Sequence, residues 1–188
     1  MSTIFAVVTR APHLPLAQRR ELVLDAALRV MSRTDGPLSV DAVAAEAGVA
    51  KTVLYRCFVN RDDMVAALEQ RESRRLTDEL EAALRAADSP DRVEAMGQFL
   101  QTYFTGVTNA PDSYRLIYDR PSPRASRLLQ EARATVARHL APLFNGDGTS
   151  AALFVGVVEA GARLVLEGER PHERAVALFA ALTEESSS

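Results

Sequence analysis

Four side chains within six positions, Lys51, Thr52, Tyr55 and Arg56, have the chemistry of a surface that grips phosphates and reads base edges. Lysine and arginine neutralise phosphates or read guanine, threonine contacts a base methyl or a phosphate, and a tyrosine hydroxyl donates to a phosphate oxygen. If Lys51 to Phe58 is helical, these four point outward while Val53, Leu54 and Phe58 face inward. Something must hold such a helix across a second one. Val40, Val43, Ala44 and Ala47 recur at three- and four-residue steps and predict a short preceding helix. Gly48, able to take the left-handed conformation without a Cβ clash, ends it and lets the chain turn at Gly48-Val49. Two short helices joined so tightly predict a helix-turn-helix, whose second helix lies in the DNA major groove. Ser39 is placed to cap the first helix, whose N-terminus at Ser39 and Val40 turns its positive dipole end toward a phosphate. Arg61 adds a further cation just after the motif.

The run AVAAEAGVAKTVLYRCFVNRDDMVAAL resembles the N-terminal signature of TetR-family transcriptional regulators. The match comprises the alanine-rich first helix, the Gly-Val turn, the Leu-Tyr pair and the phenylalanine three residues after the tyrosine. A basic residue followed by acidic ones, opening the next helix, completes it. Ala50 departs from the family's serine or threonine cap, and Cys57 stands where an aromatic or histidine is common. The resemblance implies an all-α fold of about nine helices, in which an N-terminal three-helix DNA-binding domain precedes a helical ligand-binding and dimerisation domain.

With 47% hydrophobic and 25% charged residues, the composition is that of an ordinary globular chain, which excludes extensive disorder. The formal net charge of −3 does not announce a nucleic-acid binder. Its distribution is more informative. Through Arg61 there are eight Lys+Arg against five Asp+Glu, a net +3, so the remainder carries −6. A single cysteine excludes an intrachain disulfide and fits a reducing cytoplasm. Ile4 to Val8 is too short for a signal sequence, and the apolar run Ala151 to Leu166 is interrupted by Glu159 and Arg163, against a membrane span. The expected location is the cytoplasm.

Residues 1–15 read as an extended arm, with Arg10 able to reach a minor groove. The expected DNA-binding domain covers 16–61 and begins with a helix whose apolar residues repeat at 22, 26 and 30 and at 23, 27 and 31; Arg19 and Arg20 at its start are possible phosphate contacts. Residues 62–183 form the expected effector-binding and dimerisation domain, and 184–188 a polar tail. Within it, a long fourth helix to about Ala87 carries Arg71, Arg74 and Arg75 among Glu69, Glu72, Asp78, Glu79 and Glu81, a mixture that reads as a solvated face. Helices five to nine follow, punctuated by Asp88-Ser89-Pro90-Asp91, Asn109-Ala110-Pro111-Asp112, Pro121 with Pro123, Asn145-Gly146-Asp147-Gly148 and Gly168. Leu143 reads as the end of the seventh helix's stripe.

No metal or enzyme site is expected. His13, His139 and His172 are far apart and none has a helical partner at ligand spacing. Cys57 has no histidine near it in sequence, so it reads as a small buried residue behind the recognition helix, with a redox switch as the other reading. No cofactor motif is present. Phe99, Tyr103, Phe104, Tyr114 and Tyr118 gather in the fifth and sixth helices, and Phe154 faces them from the eighth. Ordinary core packing accounts for such a group; the family resemblance implies that these helices with the seventh enclose a pocket for a small apolar or aromatic effector.

The stretch Ala151 to Val158 is apolar nearly all round and needs cover on two sides. Ala152, Gly156 and Ala160, four apart, permit a close helix approach, as do Ala177, Ala180 and Ala181 in the ninth helix. By resemblance these two helices pair with a second copy in a homodimer. Glu159, Arg163 and Glu167 suit an ion-pair ladder, an interface rim or a pocket wall. The reading is a homodimeric, ligand-responsive regulator, by resemblance most often a repressor, on a palindromic double-stranded DNA operator. A rival is a helical small-molecule binding or scaffold protein whose head no longer reads specific DNA, prompted by Ala50, Cys57 and the low overall charge.

Overall fold

The structure is a computed structural model describing residues 15–34, 36–118 and 122–185. Most of the expected N-terminal arm with Arg10, His13, Pro121 and residues 186–188 lie outside the described residues. Among those described there are nine α-helices and no strand. They are α1 (Leu16–Arg33), α2 (Val40–Ala47), α3 (Lys51–Cys57), α4 (Arg61–Ala86), α5 (Arg92–Asn109), α6 (Pro111–Tyr118), α7 (Pro123–Leu140), α8 (Gly148–Leu166) and α9 (His172–Glu185). The all-α fold is thus as the periodicity indicates. The chain forms two compact units that divide within α4, between Leu68 and Glu69.

In the first unit α1 packs on both α2 and α3. Its inward stripe, Val23, Leu24, Ala26, Ala27 and Val30, is buried, as are Val43, Ala44, Leu54, Cys57, Phe58, Met64 and Leu68. Burying one such side chain as Leu54 contributes about 1.5–3 kcal/mol. Arg29 and Arg33 both reach Glu46, at 2.6 and 3.3 Å, and tie α1 to the end of α2. The hydrogen bond from Arg29 holds the Glu46 carboxyl below its usual range.

In the second unit α8 lies against α5, α7 and α9, and α5 also packs along α9. Phe144, Phe154 and Phe179 form an aromatic knot, with ring centroids 5.0 to 5.6 Å apart. α8 is long and apolar enough to cross a membrane by length and composition. Here its Phe154, Val155, Val158 and Ala162 are packed in the core.

Three local readings change. Pro123 opens α7 instead of closing α6: Ser122 caps the helix by accepting from the Ala125 amide at 3.2 Å, and proline at the first turn lacks only an N–H that would be unpaired there anyway. Leu143 falls in a short 3₁₀ turn, Ala141–Phe144, because Pro142 cannot donate to continue the α-helical ladder. The mixed charges of α4 are not all solvated. Glu72 is 0% and Glu69 7% exposed. Glu72 Oε2 accepts from Ser113 Oγ at 2.6 Å while Arg71 pairs with Oε1 at 2.7 Å, and Glu69 accepts from Ser122 Oγ at 2.8 Å. Buried carboxylates of this kind persist because each has its donors.

Candidate nucleic-acid interface and ligand cavity

α2 ends as the sequence dictates. Gly48 sits at φ 64°, its amide reaching Ala45 O at 3.1 Å, and the Val49 amide reaches Ala44 O at 3.0 Å. This left-handed closure aims α3 away from α2 at once. Ser39 caps α2 by accepting from the Ala42 amide at 3.3 Å. α3 starts without a side-chain cap at Ala50. Lys51 Nζ pairs with Asp41 Oδ1 at 2.8 Å, joining the first turns of α2 and α3. That hydrogen bond and the Asp41 charge raise the Lys51 ammonium above its ordinary value.

One face of α3 is buried through Leu54 and Cys57, and Phe58 follows at its C-cap with 3% exposure. Lys51, Thr52, Tyr55 and Arg56 are exposed together on the other face, Tyr55 at 52%. Arg56 has no ion-pair partner among the described residues. Val53 and Val40 are half-buried, Ser39 is exposed, and Arg61 lies against Asp62 at 2.9 Å. Asn60 Oδ1 accepts from the Asp63 amide at 2.8 Å and Asp63 Oδ2 from the Val59 amide at 2.9 Å, a reciprocal cap that fixes where α4 begins.

Two contributions escape a reading of the sequence. Asp41 engages Lys51 across the turn. Arg20 turns inward, donating to the Cys57 carbonyl and stacking 4.2 Å over the Phe58 ring, so it braces the C-terminal end of α3. No local signal marks either pairing, since the partners are 10 and 37 positions apart. Cys57 is buried and forms no disulfide.

The second unit holds a cavity of about 400 Å³ between residues 70–84 of α4 and the helices α5, α6 and α7. Leu76, Leu80, Leu84, Ile117, Leu128 and Leu129 give it apolar walls, and Tyr103, Tyr114 and Tyr118 an aromatic one. Tyr114 and Tyr118 stack at 5.8 Å, and Tyr103 meets Tyr114 edge-on at 6.0 Å. The Tyr103 and Tyr118 hydroxyls are 3.3 Å apart. Burial, before any neighbouring charge, holds all three phenols above their usual value, Tyr103 and Tyr114 well above it, so they stay protonated. Tyr114 OH, Ser73 Oγ and Glu79 Oε2 are buried without a hydrogen-bond partner among the described residues.

Phe99, Phe104 and Phe154 do not line this cavity. Phe99 and Phe154 are 0% exposed in the core, and Phe104 lies under Gly161. Half of the apolar wall comes from Leu76, Leu80 and Leu84 of α4, four residues apart, which the sequence marks only as a helical stripe. Glu159 is 9% exposed and forms a two-pronged pair with Arg133 of α7, at 2.6 and 2.8 Å, not a ladder along α8. Arg163 and Glu167 remain exposed. No group of three metal-ligating side chains occurs among the described residues. His139 bonds Thr135 O and His172 bonds Gly97 O.

The sequence profile described as bacterial regulatory proteins, tetR family, matches residues 23–68. An uncharacterised HTH-type transcriptional regulator of Mycobacterium tuberculosis is 31% identical over 157 residues, 83% of this chain and 66% of the relative. The HTH-type transcriptional activator FasR of Mycolicibacterium smegmatis is 31% identical over 112 residues, 58% of this chain and 50% of the relative. This chain therefore spans between half and two thirds of the length of these relatives. A crystal structure of a TetR-like transcriptional regulator from Rhodococcus sp. RHA1 superposes with a TM-score of 0.73 at 28% identity, covering 93% of this chain and 98% of that one.

Proposed function

Because this chain belongs to the TetR family of bacterial regulatory proteins, we propose that two copies bind a palindromic DNA operator and release it when a small apolar or aromatic effector enters the cavity. The observation that carries this reading is the polar face of α3, four exposed groups suited to phosphates and bases on a helix anchored by Leu54 and Phe58. α3 is the reading helix, supported by the N-terminus of α2 at Ser39 and Val40 and by Arg61. Two heads related by a two-fold axis would read half-sites centred roughly 34 Å or somewhat more apart. Such a protein works in the cytoplasm, where its operator is.

The second copy is held by α8 and α9. Ala152, Leu153, Gly156, Ala160 and Leu164 are exposed on one face of α8, and Ala177, Leu178 and Ala181 on α9. A contiguous apolar face of this kind suits a self-complementary four-helix contact, with the small residues allowing close approach. Release of DNA requires the effector to prefer the state that cannot span the operator, because equal affinity for both states shifts nothing. α4 runs from the head into the cavity wall and is the element through which that preference acts. Repression is the proposed sign; FasR, named an activator, makes the transcriptional readout the deciding one.

A duplex from the regulator's own upstream region should shift at low salt and lose affinity steeply as salt rises. Tyr55→Ala should weaken that binding about tenfold, with helix content and dimerisation unchanged. Unchanged affinity would overturn the assignment of α3. Removal of the competing carboxylate gives the opposite sign. Asp41→Asn frees Lys51 in both heads, so affinity should rise a few-fold and the dependence on log[salt] should steepen by about two, one for each head, in fluorescence anisotropy titrations. A protein that enriches no sequence from random duplexes would instead be a helical small-molecule binder or scaffold, the reading that the uncapped Ala50 and the engaged Lys51 favour.

A further inference from the structure

The cavity has two unlike regions. Its inner wall is formed by Leu76, Tyr103, Tyr114, Ile117 and Leu129, each at most 9% exposed. Every charged residue lining it is exposed and so belongs to the mouth. No charged side chain forms part of this inner wall. The tyrosines remain neutral, Glu79 Oε1 is engaged by Arg75 at 3.1 Å, and Glu159 by Arg133. An ionic group driven into this interior would lose its hydration and meet only neutral hydroxyls in return, with no opposite charge to replace it. The buried part of a ligand is therefore uncharged.

The charges at the mouth are sorted along it. Arg124 Nη2 donates to Gln70 Oε1 at 3.2 Å, and Arg74 stands one turn beyond Gln70 on α4, so two guanidiniums flank one end. Neither has a carboxylate partner among the described residues. Arg124 also sits in the first turn of α7, a helix with no acidic residue in that turn, so the positive dipole end adds to the same region. The acidic residues lie further along both helices: Asp78 and Glu81 on α4 and Glu131 on α7, with Glu81 paired to Arg85 at 3.4 Å.

We infer that the effector is an amphiphile, with an uncharged apolar body in the leucine and tyrosine interior and an anionic head, a carboxylate or a phosphate, held by Arg74 and Arg124. A guanidinium matches either head with two parallel hydrogen bonds, and Gln70 already orients one of the pair. This rests on the reading of the cavity as the effector site and adds the chemical class of the effector. Arg74 and Arg124 are the specificity residues, and neither is part of the core.

The test is calorimetric titration of the full-length protein with decanoate, decyl phosphate, decanol and decyltrimethylammonium, which share one tail and differ in the head. Decanoate or decyl phosphate should bind at least tenfold tighter than decanol. Arg74→Ala and Arg124→Ala should reduce the anions to the level of decanol while leaving decanol and the melting temperature unchanged. Equal binding of decanoate, decyl phosphate and decanol overturns the anionic head. Tighter binding of decyltrimethylammonium, weakened by Asp78→Asn or Glu131→Gln, also overturns it and leaves the cavity as the effector site. Binding of none of the four overturns both this inference and the small-molecule reading beneath it, while operator binding by the same preparation would still stand.

Discussion

Leu153→Glu is expected to convert the protein to a folded monomer and to abolish operator binding at concentrations where the parent saturates it. Leu153 is 71% exposed in the single chain, so a glutamate there is solvated and the fold loses little. In a two-fold dimer through α8 and α9 the same position is buried twice. The substitution then removes two apolar burials, each worth about 1.5–3 kcal/mol, and places two like charges in the contact. Dimerisation should weaken at least about a hundredfold on that basis. Sedimentation velocity reads the assembly, and circular dichroism reads the fold. Operator affinity should fall with the dimer, since a lone head carries half the phosphate contacts. If Leu153→Glu still sediments as a dimer, α8 does not hold the second copy at this face.

The elements behind this expectation differ in how legible they are in sequence. Local rules gave α2, its left-handed stop at Gly48, its cap at Ser39 and the buried face of α3, because each is settled within a few residues by helical period and turn chemistry. Partnership between distant elements was not legible. Arg20 belongs to Cys57 and Phe58, and Glu72 to Ser113, 41 positions away; a helical period says that a side chain faces inward without saying what it meets. The cavity illustrates the same limit. Tyr103, Tyr114 and Tyr118 line it while Phe99, Phe104 and Phe154 pack elsewhere, although all six have the same spacing logic. What separates them is which of them face residues 70–84 of α4 across the cavity, and that is a property of packing.

Two glycines of α8 make the packing argument quantitative, since they lie five residues apart and face opposite environments. A Cβ on Gly161 would stand 2.5 Å from Phe104 Cζ and 2.9 Å from its Cε1, whereas nothing lies within 4 Å of one on Gly156. Phe104 is 6% exposed and touches Tyr103 with ring centroids 5.8 Å apart, so its ring cannot yield without disturbing the cavity wall. Gly161→Ala should therefore destabilise the fold by about 1–3 kcal/mol, net of the better helix propensity of alanine, and Gly161→Val by more. Urea denaturation checks it: a lower midpoint with an unchanged slope is expected. Gly156→Ala should be neutral or stabilising by up to about 1 kcal/mol in the monomeric Leu153→Glu background. In the otherwise unaltered chain it should instead loosen the dimer, because a methyl group would enter the close approach of α8 to its symmetry mate. An equal gain in stability in both backgrounds would mean that Gly156 faces solvent in the assembly, and the α8 contact would have to be sought on another face.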